Sequence, residues 1–483
     1  MKSVTEKSLK HWLVALLMGS VLLASQVFDA LAQDAATGWT PPVNLSEVPE
    51  LISDSPVLLC DQYENLHVIW MERSDERTYF YYRRLSGMVW TPPNSILVAD
   101  SNWFLDAVIA PDDTLHLIWF TLDGRVEYSS SPLFSAGDAR SWTVPLTLAD
   151  SIGAQRNVHG GGNSLAVDRD NRLHVIYSIP DDRAAMAHTL HYIHSSDGGQ
   201  SWSTPIAVFS TRAEVPISLF GGIQVDGAGR LHVVWEERSI EYGLYSQIGY
   251  LRSRDGGQSW DNPTVIGHSE VSPGVAMPGI FVAGENEIHI TWDIPDRLHQ
   301  WSLDGGETWS QPTMIMPLGA AFGGFNQLAW DNAGNLHVVS AEGSGVFHAI
   351  WGGSAWNVQE TIEARHLDPH QQQLEVCEGN RLHVVYADRL GGNEIWYSSR
   401  KIDATHLASL TIPTPYPDFS VTHVAGQVTD ESMTNTLDAA SEPVPYSLAR
   451  SRHSTGISSP IAAATLTALV IAAAAWRARS RSS

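Results

Sequence analysis

Apolar and polar positions along this chain fall into short blocks, without the three-to-four-residue spacing of a helix face. One block recurs seven times: NLHVIW (65–70), TLHLIW (114–119), RLHVIY (172–177), RLHVVW (230–235), EIHITW (287–292), NLHVVS (335–340) and RLHVVY (381–386). The histidines stand at 67, 116, 174, 232, 289, 337 and 383, with spacings of 49, 58, 58, 57, 48 and 46. Short β-branched and aromatic runs bounded by Gly, Asp or Asn predict strands. Strand-like units at a period near fifty residues predict a β-propeller with one blade per repeat. Repeat four shows the grammar of a unit: GGIQVD (221–226), LHVVWEE (231–237), YSQIGYLRS (245–253) and SWDNPTVI (259–266) as strands one to four. Strands apolar on both sides fit sheets covered on both faces by neighbouring blades. The expected fold is all-β, a seven-bladed propeller of four-stranded blades.

A tryptophan opens the fourth strand of six units: Trp90, Trp142, Trp202, Trp260, Trp309 and Trp356. Repeat seven runs to IWYSSRK (395–401) and has none. GWTPPVNL (38–45) matches VWTPPNSIL (89–97), so residues 38–45 are expected to supply the outer strand of the last blade. Closing the ring with a strand from the other end leaves no unfinished edge. Cys60 and Cys377 fall in the first strands of the first and last units. They meet at this closure, either as a disulfide or as two buried thiols.

The two ends read as addresses. Lys2, Lys7, Lys10 and His11 precede an apolar run from Trp12 to about Ala24, and Ala30-Leu31-Ala32 follows. That layout fits a secretory signal peptide over 1–32, with a retained membrane helix as the alternative. Residues 457–476 are free of charge, and Arg477, Arg479 and Arg481 follow in a basic tail (477–483). A transmembrane helix with its basic flank in the cytoplasm is expected there. The alternatives are a soluble Ala-rich helix or a tail removed by a sorting enzyme. Between them lie the propeller, 33–402, and a Pro/Ser/Thr-rich stalk, 403–456. The bulk of the chain is thus expected outside the cytoplasm, exported and anchored at its C-terminal end.

Three turns carry the pattern Ser-x-Asp-x-Gly-x-x-Trp: Ser195 with Asp197, Gly199 and Trp202; Ser253 with Asp255, Gly257 and Trp260; Ser302 with Asp304, Gly306 and Trp309. This resembles the Asp-box, or bacterial neuraminidase repeat, of the sialidase-like propellers, over roughly residues 34–402. In such a turn the carboxylate accepts hydrogen bonds from its own backbone, the glycine takes a conformation other residues resist, and the indole packs beneath. The resemblance implies a fold more strongly than a reaction. Sialidases of the superfamily have six blades and an Arg-Ile-Pro motif before the first box; the corresponding segment here is SEVPELISDSPVLLC (46–60). No catalytic residue is carried over, and enzyme status stays open.

Charge narrows the partners. With 53 acidic and 29 basic residues the net charge is −24, which disfavours nucleic acid. Two cysteines exclude a four-thiolate metal site. The seven repeated histidines are spread around the ring and read as blade-to-blade hydrogen-bonding groups, and no metal or cofactor is expected. Acid–arginine pairs close the second strands: Glu72-Arg73, Asp182-Arg183, Glu236 with Arg238, Asp296-Arg297 and Asp388-Arg389. Their loops open opposite the Asp-box turns, so the pairs either gather at a ligand mouth or brace their own loops. The joining loops add Arg156, His159, Gly160, Glu214, Arg365, His366, Asp368 and His370, and Trp103 and Phe104 offer rings for stacking on a sugar. The leading expectation is a monomeric, membrane-tethered module that binds glycan or protein. The alternative is a sialidase-like exo-glycosidase with a non-standard site, which needs two suitably spaced carboxyls.

Overall fold

The computed structural model describes residues 38–47, 51–74, 77–99, 101–150, 162–180, 187–211, 215–239, 244–268, 276–293, 296–316, 327–342, 345–357, 360–363, 369–388 and 393–406. The side chains of 101–104, 220, 238–239, 244–246, 342 and 363 are not described. Seven antiparallel sheets form the propeller, six of them running outward in chain order from the first strand. The first strands are Ile52–Cys60, Ser101–Ile109, Gly162–Val167, Ile217–Val225, Ala276–Ala283, Gln327–Trp330 and Pro369–Cys377. They pack side by side around the axis. Turns joining strands one to two and three to four lie on one face, here the box face. Connections from strand two to three, and from blade to blade, lie on the opposite rim face.

Blade 7 is closed as its sequence suggests. Val43–Asn44 pairs antiparallel with Glu394–Lys401, with Val43 opposite Tyr397. The seven fourth strands share one local design. The amide after each tryptophan donates to a carbonyl of the third strand: Thr91 to Arg84, Thr143 to Ser130, Ser203 to His194, Asp261 to Arg252, Ser310 to Trp301, Asn357 to Ile350, and Thr40 to Ser399. The regular strand then resumes at Asn94, Leu146, Ile206, Thr264, Thr313, Glu360 and Val43. In six of the seven a proline stands immediately before that residue (Pro93, Pro145, Pro205, Pro263, Pro312 and Pro42). Proline lacks the amide a ladder needs, so the regular pairing begins just beyond it. In blade 1 Val89–Trp90 forms a short strand of its own paired with Leu85 and Ser86, and Trp39 and Trp356 form single bridges, so in these blades the tryptophan begins the pairing and the regular strand follows after a break.

Each of these tryptophans packs against the preceding blade. Trp202 meets Tyr128, Trp260 meets Tyr192 and Trp309 meets Tyr250 edge-on at 5.1, 5.3 and 5.0 Å between ring centres. Trp356 meets His299 at 5.2 Å, Trp90 meets Tyr397 at 5.0 Å, and Trp39 meets His348 at 5.5 Å. Trp142 joins Tyr82 in the cluster between blades 1 and 2. Trp39 thus occupies the seventh place in a ring of inter-blade contacts. Among the described residues, seven apolar clusters fill the seven blade junctions. Burial between sheets stabilises the ring, because neither face of a blade meets water.

The repeated histidines bond within their own blade, not between blades as expected. His67, His174 and His232 face the carboxylates of Asp61, Asp168 and Asp226 through Nε2 and the hydroxyls of Tyr82, Tyr192 and Tyr250 through Nδ1, the latter at 2.8 Å. A carboxylate at Nε2 fixes the proton there, so Nδ1 accepts from the tyrosine. His289 and His337 bond instead to His299 and His348, at 2.9 Å in both cases. Burial lowers the pKa of these imidazoles, to about 4 for His116, His174, His289 and His337. The tyrosine body, not the histidine, carries the contact to the next blade.

That contact gives the Asp-box glycine a second duty. Gly199, Gly257 and Gly306 have φ of +86°, +92° and +87°, and an added Cβ would lie 1.9, 2.3 and 2.3 Å from the hydroxyls of Tyr128, Tyr192 and Tyr250. The box carboxylates behave as read from sequence. Asp197 Oδ1 accepts from Ser195 Oγ at 2.7 Å and Ser201 N at 2.9 Å, and Asp255 and Asp304 repeat the pattern. Hydrogen bonds from side-chain hydroxyls and turn amides lower all three pKa values to about 2. Cys60 and Cys377 form a disulfide across the closure, with Cα atoms 5.9 Å apart.

Candidate functional site

Five of the first strands are bulged near their rim ends. Register shifts fall between Asp54 and Val57, Trp103 and Asp106, Ser218 and Gly222, Ala276 and Gly279, and His370 and Gln373. Ser55, Gly222, Met277 and Gln371 take positive φ at these bulges. A bulge breaks strict alternation and re-aims side chains. Here it turns polar residues of otherwise apolar strands toward the axis.

The result is an axial cavity of about 670 Å³, lined by the first strands of all seven blades. Its polar lining includes Ser55, Asp106, Asn163, Ser164, Gln224, Gln327, His370, Gln371, Gln373 and Glu375. Several of these groups also stitch neighbouring blades. Asp106 Oδ2 accepts from Ser164 Oγ at 2.8 Å and Leu165 N at 2.9 Å, and Ser164 Oγ accepts from Ile223 N at 3.2 Å. Gln224 Oε1 accepts from Val282 N at 2.8 Å, and Gln371 Oε1 from Ser55 N at 2.7 Å. Burial raises the carboxyls of Asp106 to about 6 and Glu375 to about 7, against hydrogen bonds that pull the other way. Near neutral pH Glu375 therefore exchanges between a donor and an acceptor form. No arginine or lysine is among the described lining residues. The described lining suits hydroxyl and amide groups and holds no cation for an anionic sugar.

None of the described residues at the ends of the second strands is among the lining residues of this cavity. Glu72 is buried, accepts from Ser53 Oγ at 2.8 Å and from Trp70 Nε1, and has its pKa raised by burial to about 7. Arg73 pairs with Asp54, not with Glu72. Glu236 is buried and accepts from Met277 N of blade 5 at 2.7 Å. Its neighbour Glu237 accepts from Trp235 Nε1 at 3.0 Å, as Glu72 does from Trp70. Arg297 is fully buried, 3.5 Å from Asp293, and donates to Met316 Sδ and to the Ala341 carbonyl of blade 6. Asp388 is buried and Asp296 half-buried. Asp182, Arg183 and Arg389, and the side chain of Arg238, lie outside what is described. Of the joining-loop candidates, His370 lines the cavity; Arg156, His159, Gly160, Glu214, Arg365, His366 and Asp368 lie outside the described residues, as do the side chains of Trp103 and Phe104.

Sequence reasoning missed Asp106, Asn163, Gln224, Gln373 and Glu375. A signal was available in HQQQLE (370–375), a polar run inside an inner strand.

Among the described residues no helix is long and apolar enough to cross a membrane, and the expected span 457–476 lies outside them. No curated protein sequence matches the chain. Similar solved structures include an α-L-arabinanase of Penicillium chrysogenum complexed with arabinobiose (15% identity, TM-score 0.47, 75% of this chain and 98% of that one). A microbial sialidase, Hadza Hz136, is 12% identical with a TM-score of 0.45, covering 67% of this chain and 73% of that one. An ulvan lyase of polysaccharide lyase family 25 is 11% identical with a TM-score of 0.49, covering 74% and 95%. None of these likenesses carries a substrate across. Residues 126–318 match the model of the BNR repeat-like domain. That segment spans the three complete Asp-box turns, and their geometry is continuous with the rest of the ring; the chain is a seven-bladed β-propeller that carries a BNR repeat-like segment over residues 126–318.

Proposed function

We propose that this protein is an extracytoplasmic propeller, tethered through its C-terminal segment, that binds a neutral, hydroxyl-rich ligand of the carbohydrate class in the axial cavity. The observation that carries this reading is the cavity lining: serine, asparagine, glutamine and histidine side chains from several blades converge on one volume, with two carboxyls and no described cation. Pockets of several hundred cubic ångströms with convergent polar groups are the usual form of small-ligand sites. A sialic acid carboxylate wants an arginine fork, and the described lining has none. The second reading, glycoside hydrolysis, is favoured by one observation, the Glu375 carboxyl held near 7 inside the cavity. That is where a general acid works best at neutral pH.

The test uses the full chain on an array carrying neutral and sialylated oligosaccharides, followed by calorimetry on the best ligand. Neutral glycans are expected to bind, and Gln373→Trp, which fills the cavity, is expected to abolish binding. Retention of sialylated ligands alone would overturn the assignment of ligand class. Turnover of a chromogenic glycoside that Glu375→Gln removes would decide for the hydrolase.

A further inference from the structure

A second polar cluster lies on the box face, away from the axial cavity. Glu64, in the turn between strands one and two of blade 1, and Glu378, in the corresponding turn of blade 7, flank the closure. His406, just past the last strand, reaches both. Its Nε2 lies 3.5 Å from Glu64 Oε1 and 3.5 Å from Glu378 Oε2, and the three donor atoms all fall within 4.8 Å of one another. The segment is held in place by Asn380, whose backbone carbonyl accepts from Ile402 N at 2.8 Å, and by Asn332 Nδ2, which donates to the Thr405 carbonyl at 3.0 Å.

Hydrogen bonding does not account for this spacing. An N–H···O bond spans about 2.7–3.2 Å, and a single imidazole N–H could serve these two carboxylates only by being shared between them at longer range. Glu64 Oε1 is also shut off from water and accepts no hydrogen bond. Ligands about 2.0–2.2 Å from a tetrahedral ion lie roughly 3.4 Å from one another. Two of the three edges here already have that length, and small rotations of the glutamate side chains close the third. Arg381 Nε stands 3.8 Å from the other oxygen of Glu378, Oε1, so that Oε2 remains for the cluster. A net charge of −24 attracts cations to such a site.

We propose that Glu64, Glu378 and His406 bind a divalent transition-metal ion, with water completing the coordination. Imidazole together with two carboxylates suits zinc and its neighbours, whereas calcium prefers an all-oxygen shell. The ion would cross-link blade 1, blade 7 and the segment leaving the propeller, next to the Cys60–Cys377 disulfide.

The experiment uses the full chain without a polyhistidine tag, stripped with chelator and titrated with Zn²⁺ by calorimetry. The same sample is then loaded with Co²⁺ and read by its visible absorption. One equivalent of Zn²⁺ per chain is expected. His406→Ala, Glu64→Gln and Glu378→Gln should each weaken it at least about tenfold, since even outer-shell changes cost that much. The Co²⁺ band should vanish in His406→Ala and persist in His268→Ala, which alters an exposed histidine elsewhere. Zinc bound equally by wild type and all three variants, or displaced by an equal concentration of Ca²⁺, would overturn the assignment. So would absence of binding to the wild type.

Discussion

Replacing Trp39 by alanine tests the closure of the ring at one side chain. The indole is 2% exposed and belongs to the apolar cluster between blades 6 and 7, with Val339, Leu374, Leu382 and Val384. Truncating a buried tryptophan to alanine costs about 3–5 kcal/mol through lost transfer energy and the cavity left behind. Val43, four residues on in the same terminal segment, is 46% exposed. Its change to alanine should stay within about 0.5 kcal/mol. The two variants touch the same segment, so their difference isolates the packing of the indole from disturbance of the strand. Urea unfolding followed by circular dichroism reads both, with the disulfide intact and reduced. With a slope of about 3 kcal/mol/M, Trp39→Ala should lower the midpoint by roughly 1 M while leaving the slope unchanged. A Trp39→Ala protein within about 1 kcal/mol of Val43→Ala would refute the reasoning. The N-terminal segment would then be an ornament on a ring that closes without it.

Three further outcomes follow from the geometry. Gly257→Ala meets both a positive φ and the Tyr192 hydroxyl, whereas Gly229→Ala meets only the positive φ in open space. The first should cost about 2–4 kcal/mol and the second about 1 kcal/mol in thermal or urea unfolding, and equal losses would show that the inter-blade contact is immaterial. Thiol titration of the denatured, unreduced protein should find no free thiol. Reduction should lower stability by up to roughly 5 kcal/mol, given the 317-residue separation of the two cysteines, and an unchanged urea midpoint would count against this. Burial lowers His383 to about 3, so its folded form stays neutral while the unfolded chain takes up a proton below about 6.5. Its contribution to stability is complete above that pH and falls by about 2 kcal/mol between pH 7 and pH 5. The raised carboxyls Glu72 and Glu375 act in the opposite sense, gaining protons first in the folded state as pH drops below about 7. His383→Gln should therefore flatten the acid-side loss by about that amount, and an unaltered slope would exclude the histidine as its source.

Blade number, strand order and closure were legible because each rests on a local pattern repeated at a fixed period. The LHV-type runs mark second strands, and the Trp-Thr-Pro-Pro segments at 39–42 and 90–93 identify two equivalent outer strands from opposite ends of the fold. The axial site was poorly legible because it depends on bulges. A one-residue slip inverts which side chains face inward, and nothing in ISDSPVLLC (52–60) says that Ser55 adopts a positive φ. The partners of Glu72 and Arg73 were hidden for a related reason. Adjacent residues on a strand point to opposite sides, so Glu72 turns inward to Ser53 and Trp70 while Arg73 reaches Asp54. The histidine partners were hidden because strand-three residues such as Tyr82 and His299 are fixed only by cross-strand register. Glu64, Glu378 and His406 are far apart along the chain, and no spacing rule joins 64 to 378 and 406.

Trp39 bridges to Arg400 at the box-face end of the last blade, and His406 lies beneath the turns of that same face. The polypeptide thus arrives and departs on one side of the disc. A leash continuing from either Trp39 or His406 would leave the propeller on the box face.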